Sequence, residues 1–392
     1  MQEPLNSFSF DGPAALLVEW GGAARLGTLM AGWFSERRLL VVTDRFLHEA
    51  GMLEPAKASL AEAGFALTIF DAVVADPPET VLMQAAEQAR AQGCDIVLGL
   101  GGGSSMDIAK LVAVLLRNDQ PLAEMYGIGN IRGHRAPLVQ VPTTAGTGSE
   151  VTNITILTTG EKTKMGIVAP QLYADHVLLD AELTLGLPPV QTAATGIDAM
   201  VHAIEAYTSR HRKNPLSDLF AREALRLMAA HLVTACTDGQ NRPAREAMLL
   251  GAALAGKAFA NSPVAAVHAL AYPLGGHFHL PHGLTNALML GPVLRFNMKA
   301  AAPLYAELAD VVQAPGTQTG TGSVPERAGA FVAFMEDLMN RSGAPRRLRD
   351  CNVPEDSLPQ LARDAMLQTR LLVNNPVELT ENDALALYRA AF

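Results

Sequence analysis

Asp198 and His202 stand four residues apart in Thr195-Gly-Ile-Asp198-Ala-Met-Val-His202-Ala-Ile-Glu205, so on a helix both side chains leave the same face one turn apart. Farther on, His268, His277, His279 and His282 fall within fifteen residues, with helix-like spacing at first and a Pro/Gly break in the middle. Any one of these histidines is most simply a packed or solvated residue, and an Asp/His pair at this spacing is often only a hydrogen bond on a helix face. Taken together, three or four of them could complete an Asp/His₃ shell of imidazole and carboxylate without thiolate. That donor set suits Fe(II) or Zn(II) with a position left open for substrate, and its chemistry would be Lewis-acid polarisation of an oxygen.

Three segments of the first half could hold a nucleotide. The run Asp95-Ile-Val-Leu-Gly-Leu-Gly101-Gly102-Gly103-Ser104-Ser105-Met-Asp107-Ile-Ala-Lys110 reads as a buried strand passing through consecutive glycines directly into a helix. Backbone N–H groups and the positive end of the helix dipole then converge at one point, which suits a pyrophosphate. The run is neither the G-x-G-x-x-G fingerprint after a first strand nor a G-x-x-x-x-G-K-[ST] loop. A simpler alternative is a tight turn with a capping box, Ser104 with Asp107 three residues on, although three glycines exceed what a turn needs. A second loop, Val141-Pro142-Thr143-Thr144-Ala145-Gly146-Thr147-Gly148-Ser149-Glu150, sets small hydroxyls beside glycines and could bind an anion or a ribose; taken alone it reads more simply as an exposed loop with Ser/Thr turns. Asp44, after Leu39-Leu-Val-Val-Thr43, could accept hydrogen bonds from a ribose and repel a 2′-phosphate, favouring NAD over NADP, or simply cap the next helix.

The elements that must position these residues follow from periodicity. Strands are expected at Arg38–Thr43, Ala66–Phe70, Asp95–Leu100, Leu138–Val141, Thr152–Leu157 and His176–Leu179, with helices at Arg45–Ala63, Glu79–Gln92 and Ser105–Arg117. That rhythm predicts a mostly parallel sheet covered by helices. After Leu187-Pro188-Pro189 the chain turns to Ala-, Leu- and Met-rich stretches broken at Asn214-Pro215, Asn241–Pro243, Pro273–Gly276 and Pro315–Pro325, so the second half is expected to be helical. The expected division is an α/β domain over 1–187 and an all-helical domain over 188–392, with Gly316–Ser323 as a surface loop.

Composition excludes several classes. With 392 residues the chain suits about two domains. A net charge of −9 argues against a nucleic-acid partner held through its phosphates. A 49% hydrophobic composition and a mean hydropathy of +0.16 supply a sizeable core and exclude a disordered chain. Cys94, Cys236 and Cys351 are odd in number and far apart, which fits a reducing compartment better than a disulfide framework. Met1–Gly12 lacks the form of a secretory signal, and no stretch is apolar enough for a membrane span, so a cytoplasmic location is expected.

These motifs together resemble the iron-containing, group III alcohol dehydrogenases, which share a fold superfamily with dehydroquinate synthase and glycerol dehydrogenase. The likeness runs from Gly21-Gly22 and Leu26-Gly27 through Val42-Thr43-Asp44, Gly101–Lys110, Pro142–Thr152, Thr195–Thr208 and His268–Asn286 to the ending Ala384–Phe392. It implies a dehydroquinate synthase-like architecture: an N-terminal dinucleotide-binding α/β domain, an all-α C-terminal domain, and a cleft for nicotinamide and metal. It assigns the metal, Fe²⁺ with Zn²⁺ as an alternative, to Asp198, His202, His268 and His282. It assigns NAD(H) to Asp44, Asp76, Gly102, Gly103, Ser104, Thr143, Thr144, Thr147 and Lys164. His277 and His279 match no ligand position. Asp76 stands where relatives often carry Asn. Tyr272 replaces a second histidine that many members place near the substrate, so Tyr272 and His282 become the candidate catalytic residues.

The implied activity is reversible hydride transfer between NAD(H) and an alcohol or aldehyde, in a homodimer. Two other readings share the framework. One is a maleylacetate-reductase or hydroxyacid-oxoacid transhydrogenase-like enzyme, for which Lys257 could anchor an acidic substrate. The other is a sugar-phosphate cyclase or lyase of the dehydroquinate synthase type, which uses a different ligand set.

Overall fold

A computed structural model describes residues 7–160, 163–313 and 321–392. The chain separates into two compact units. One comprises Pro13–Thr195 and Thr234–Ala253; the other comprises the described parts of Met1–Gly12, Gly196–Val233 and Leu254–Phe392.

The first unit is built on a six-stranded sheet in which every pairing is parallel. Its strands are β1 (Ala15–Val18), β2 (Arg38–Asp44), β3 (Ala66–Val73), β4 (Ile96–Gly101), β6 (Leu138–Pro142) and β9 (His176–Leu179), in the order β1-β9-β6-β4-β2-β3. A smaller sheet joins β5 (Gly127–Ile128), β7 (Ile154–Thr159) and β8 (Thr163–Val168), β7 and β8 running antiparallel. Central strands β4 and β6 are buried at every position, as a parallel sheet covered on both faces requires, and their sequences are accordingly near-continuous apolar runs, interrupted at Gln140, whose Nε2 donates to the Met106 carbonyl at 3.0 Å. Leu39 and Val41, Ile96 and Leu98, Val139 and Val141, and Leu178 form one core with Leu26, Met30 and Leu60. Those last three residues belong to helices α1 (Leu26–Trp33) and α3 (Glu54–Glu62).

The remaining helices of this region are α2 (Arg45–Glu49), α4 (Glu79–Ala91) and α5 (Gly103–Leu115). The helix expected over Arg45–Ala63 is therefore two helices. Gly51, at φ +72°, turns the chain between them in a conformation that side chains with a Cβ rarely adopt. The expected strands are all present within two or three residues of their bounds, but β1, β5 and β8 were not anticipated. The sequence of β8 carries Thr163 and Lys164 at its start and so lacks an apolar signature; it forms because β7 offers it a partner.

Among the described residues from Pro189 onward every regular element is helical: α6 (Pro189–Thr208), α7 (Pro215–Thr237), α8 (Arg242–Asn261), α9 (Ala266–Phe278), α10 (His282–Val312), α11 (Val324–Ser342), α12 (Leu358–Ala365), α13 (Thr369–Leu372) and α14 (Glu381–Ala391), with short 3-10 turns between. Most of the loop expected at Gly316–Ser323 lies outside the described residues. Helix α9 runs unbroken through Pro273, which cannot donate a backbone hydrogen bond, so the break expected at Pro273–Gly276 falls instead after Phe278. Nearby, the buried Tyr388 hydroxyl of α14 donates to the Leu270 carbonyl at 2.6 Å, tying the last helix to the one that carries His268. Cys94, Cys236 and Cys351 are free thiols. Among the described residues no helix is long and apolar enough to cross a membrane.

Candidate metal centre and nucleotide-binding loops

Asp198, His202, His268 and His282 converge, each offering one ligand atom, and these atoms lie within 4.8 Å of one another. Asp198 and His202 project from one face of α6, His268 comes from the first turn of α9, and His282 is the first residue of α10. From Asp198 Oδ1 the distances are 3.9 Å to His202 Nε2, 3.8 Å to His268 Nε2 and 3.7 Å to His282 Nε2. Tetrahedral ligands about 2.1 Å from an ion stand about 3.4 Å apart, so a small contraction would close the set on a metal.

The surroundings support that use. Phe259 stacks on His202 with ring centroids 4.2 Å apart, and His202 stacks on His268 at 4.7 Å, which fixes two of the rings by packing. Asp198 and His268 are 1% and 2% exposed, whereas the His282 side chain is 29% exposed, so the centre is walled on one flank and approachable on the other. Buried His268 Nε2 has no hydrogen-bond partner, an arrangement that leaves a nitrogen lone pair unused unless a cation takes it. Burial alone would push the Asp198 carboxyl up, but His202, His282 and His268, with the Asn286 amide, outweigh it and hold the group below the ordinary carboxylate value. The donor set therefore fits a divalent ion chemically as well as spatially.

Two participants escaped the sequence reading. Asn286 Nδ2 donates to Asp198 Oδ1 at 2.5 Å and lies 3.2 Å from His282 Nε2. Glu205 Oε2 is 2.6 Å from His268 Nδ1. Both could have been found from spacing, since Asn286 is four residues after His282 and Glu205 is seven after Asp198, each on the same helix face as its predecessor. Tyr272 also reaches this place, with its ring 5.9 Å from that of His282. By contrast, His277 is paired with Asp364 at 2.6 Å, and His279 is the left-handed cap of α9 at φ +54°. Lys257, considered as an anchor for an acidic substrate, instead lies over the ring of Phe220, with Nζ 5.4 Å from the centroid. It projects about 200° around α8 from Phe259 and so away from His202.

Seven of the predicted nucleotide-binding residues lie at or just beyond the carboxyl ends of three adjacent parallel strands. Asp44 ends β2, Gly102, Gly103 and Ser104 follow β4, and Thr143, Thr144 and Thr147 follow β6. Ligands of open parallel sheets bind at this edge. The glycine and threonine loops touch: a Cβ on Gly103 would stand 2.8 Å from Thr147 Cγ2, and one on Gly102 would stand 3.7 Å from Thr144 Cγ2. Gly102, Gly103, Ser104, Thr144 and Thr147 are all partly exposed, so this seam is open to a ligand, whereas Thr143 is buried and its N–H donates to the Gly101 carbonyl at 3.0 Å.

The capping box considered for Ser104 and Asp107 does not form. Gly102 is the N-cap of α5, without a side-chain cap, and the first N–H groups are left for another acceptor. Asp107 is used elsewhere: it accepts from Ser149 Oγ at 2.5 Å and from Ile156 N at 2.9 Å. Fully buried Lys110 donates to Ser149 Oγ at 2.8 Å and to the Ile154 carbonyl at 2.7 Å. Burial pushes its ammonium down, while Asp107 and Glu150 oppose that shift. This network fastens the helix behind the glycines to the threonine loop.

Asp44 does cap α2, accepting from Leu47 N at 3.0 Å through Oδ1, so the two readings of this residue are compatible, with Oδ2 remaining. Asp76 occupies the left-handed region at φ +51°, which Asp and Asn tolerate better than most residues. It accepts from Lys164 Nζ at 2.7 Å, and its carbonyl accepts from Thr158 Oγ1 at 2.8 Å, joining the two predicted contacts into one ion pair.

Comparison with known proteins agrees with this construction. Residues 13–181 match the family profile "Iron-containing alcohol dehydrogenase", and residues 192–392 match "Fe-containing alcohol dehydrogenase family, C-terminal". Long-chain-alcohol dehydrogenase 1 of Geobacillus thermodenitrificans is 39% identical over 91% of this chain and 90% of its own. A crystal structure of 1,3-propanediol oxidoreductase superposes with a TM-score of 0.93 at 34% identity, covering 99% of this chain and 100% of that one. Sulfoacetaldehyde reductase from Bifidobacterium kashiwanohense in complex with NAD⁺ superposes with a TM-score of 0.87 at 29% identity, covering 98% and 99%. The chain belongs to the iron-containing alcohol dehydrogenase family.

Proposed function

We propose that this protein is a metal-dependent, NAD(H)-linked alcohol dehydrogenase and aldehyde reductase, with Fe²⁺ as the resident ion and an alcohol or aldehyde as substrate. The observation that carries the reading is the convergence of Asp198 with three imidazole nitrogens at 3.7–3.9 Å on a centre that His282 leaves approachable. The chemistry that a divalent ion and a nicotinamide would supply here is Lewis-acid polarisation of the alcohol or carbonyl oxygen and hydride exchange.

The chain's own residues do the remaining work. Asp198, His202, His268 and His282 would hold the ion, the aspartate contributing the single negative charge. Phe259, stacked on His202, makes the adjoining surface apolar and thereby favours an uncharged substrate over a carboxylate. Tyr272, beside His282, is the nearest hydroxyl side chain from α9 that could pass a proton to or from the substrate oxygen. Gly102, Gly103 and Ser104 present the open N-terminus of α5 to the pyrophosphate, and Thr143, Thr144 and Thr147 line the facing loop. Asp44 would accept from the adenosine ribose and repel a 2′-phosphate, which favours NAD over NADP. Asp76 and Lys164, already paired, would contact the cofactor as a unit.

A cytoplasmic homodimer completes the proposal, light scattering being the test of the second part. The activity is tested by following NADH consumption with a panel of aliphatic aldehydes and keto acids. The reading requires aldehyde-dependent oxidation that vanishes in D198A; turnover of keto acids alone would favour the hydroxyacid-type alternative.

A further inference from the structure

We propose that Glu205 is the positioning residue of the metal centre, locking the tautomer and plane of His268 so that Nε2 is the nitrogen presented to the ion. The inference rests on the metal reading of Asp198, His202, His268 and His282.

Glu205 is a carboxylate only 4% exposed, yet among the described residues no Lys or Arg hydrogen-bonds to it. Its partners are all N–H groups at the start of α9. Oε2 accepts from Ala265 N at 2.9 Å and faces His268 Nδ1 at 2.6 Å, while Oε1 accepts from Val267 N at 2.7 Å. Helix α9 has no side-chain cap of its own, Ala265 being the residue at its N-cap. Glu205 therefore supplies, from α6, the acceptors that a helix N-terminus ordinarily finds locally, and its negative charge lies at the favourable end of the dipole.

The same carboxylate decides what His268 can do. A carboxylate only accepts, so the Nδ1 facing Glu205 carries the proton, and Nε2 is left with its lone pair directed toward Asp198, 3.8 Å away. Nε2 is the buried nitrogen without a hydrogen-bond partner. One side chain thus anchors the backbone that carries His268 and selects the ligating nitrogen. Carboxylate–histidine–metal relays act in this way, and losing the outer partner commonly costs 10–100-fold in metal affinity.

Glu205→Gln is the informative substitution. The amide has one accepting atom and one donating group, so in either orientation its NH₂ confronts an N–H that the carboxylate formerly satisfied. With the NH₂ in the place of Oε2, His268 escapes the clash by moving its proton to Nε2, which removes the lone pair needed by the ion; with the NH₂ in the place of Oε1 the clash is with Val267 N–H and loosens the start of α9, which carries His268.

The test uses the full-length metal-free protein and Co(II) as probe, its affinity measured by competition with a chromophoric chelator and its ligand field by visible absorption. E205Q is expected to bind Co(II) about 10–100-fold more weakly with an altered absorption envelope, E205D to recover part of the loss, and NADH affinity to stay unchanged. E205Q binding Co(II) within twofold of the unsubstituted protein, with the same spectrum, would overturn the assignment. A second measurement does not depend on the variant folding: ¹⁵N chemical shifts of histidine in the unsubstituted metal-free protein should show His268 protonated at Nδ1, and protonation at Nε2 would overturn it equally. Failure of the unsubstituted protein to take up any divalent ion contradicts the metal reading itself rather than the role of Glu205.

Discussion

Gly103 and Thr147 meet so closely that a single added carbon on the glycine would stand 2.8 Å from the threonine methyl. The contact joins the turn after β4 to the loop after β6 at the edge where a parallel sheet receives its ligand. G103V must push the threonine loop outward and cover the N-terminus of α5. NADH affinity, read by fluorescence titration, is expected to fall about tenfold or more, corresponding to at least about 1.4 kcal/mol. Metal content should not change, because none of the four ligands belongs to either loop. Unchanged NADH affinity would show that the pyrophosphate does not use this seam.

The metal ligands should be separable from the nucleotide site in the same manner. H268A and D198A are each expected to lose the bound ion and, with it, NADH-linked turnover, while NADH titrations stay within about twofold of the unsubstituted protein. Elemental analysis of protein purified without oxygen checks the first effect. A variant that turned over at full rate without metal would contradict the Lewis-acid role.

Tyr272 stands 5.9 Å, ring to ring, from His282. If its hydroxyl relays the substrate proton, Y272F should lower kcat about tenfold or more and alter the pH dependence of kcat, with metal content and NADH affinity unchanged. Equal kcat and an unaltered pH profile would assign the proton to water or to the cofactor ribose instead.

Glu150 gives a pH-dependent prediction for the sheet-containing unit. Burial lifts its carboxyl to about 7, against the opposing influence of its backbone hydrogen bond and of Lys110. Folded Glu150 therefore keeps a proton that the unfolded chain has released, so its contribution is fully present below an ordinary glutamate pKa of about 4.3 and is lost as the pH rises to about 7. The whole change is at most about 4 kcal/mol. E150Q, neutral throughout, should be more stable relative to the unsubstituted protein at pH of about 8 than at about 5. Parallel thermal melts of the two proteins check this, and a constant difference across the range would mean that Glu150 titrates normally.

What the sequence revealed was what local spacing encodes. Asp198 and His202 are one helical turn apart, and the strand, glycines and helix around Gly101–Gly103 are contiguous in the chain, so both were readable. Spacing alone could set Glu205 on the Asp198 face of α6, but its pairing with His268 was not readable, because His268 lies on a different helix and the contact forms only when α6 and α9 pack. Asp107 shows the same limit from the other side. Its spacing from Ser104 suggested a capping box, but Ser149 and Ile156, distant in sequence, claim the carboxylate. Strand β8 was hidden because its pairing with β7, rather than its own composition, makes it a strand.

The most direct test is the metal itself. Protein purified anaerobically should contain close to one iron per chain, lose aldehyde-dependent NADH oxidation when a chelator strips the ion, and recover it when Fe²⁺ is restored, with NADH binding retained throughout. Undiminished aldehyde reduction by thoroughly metal-free protein would contradict the central claim.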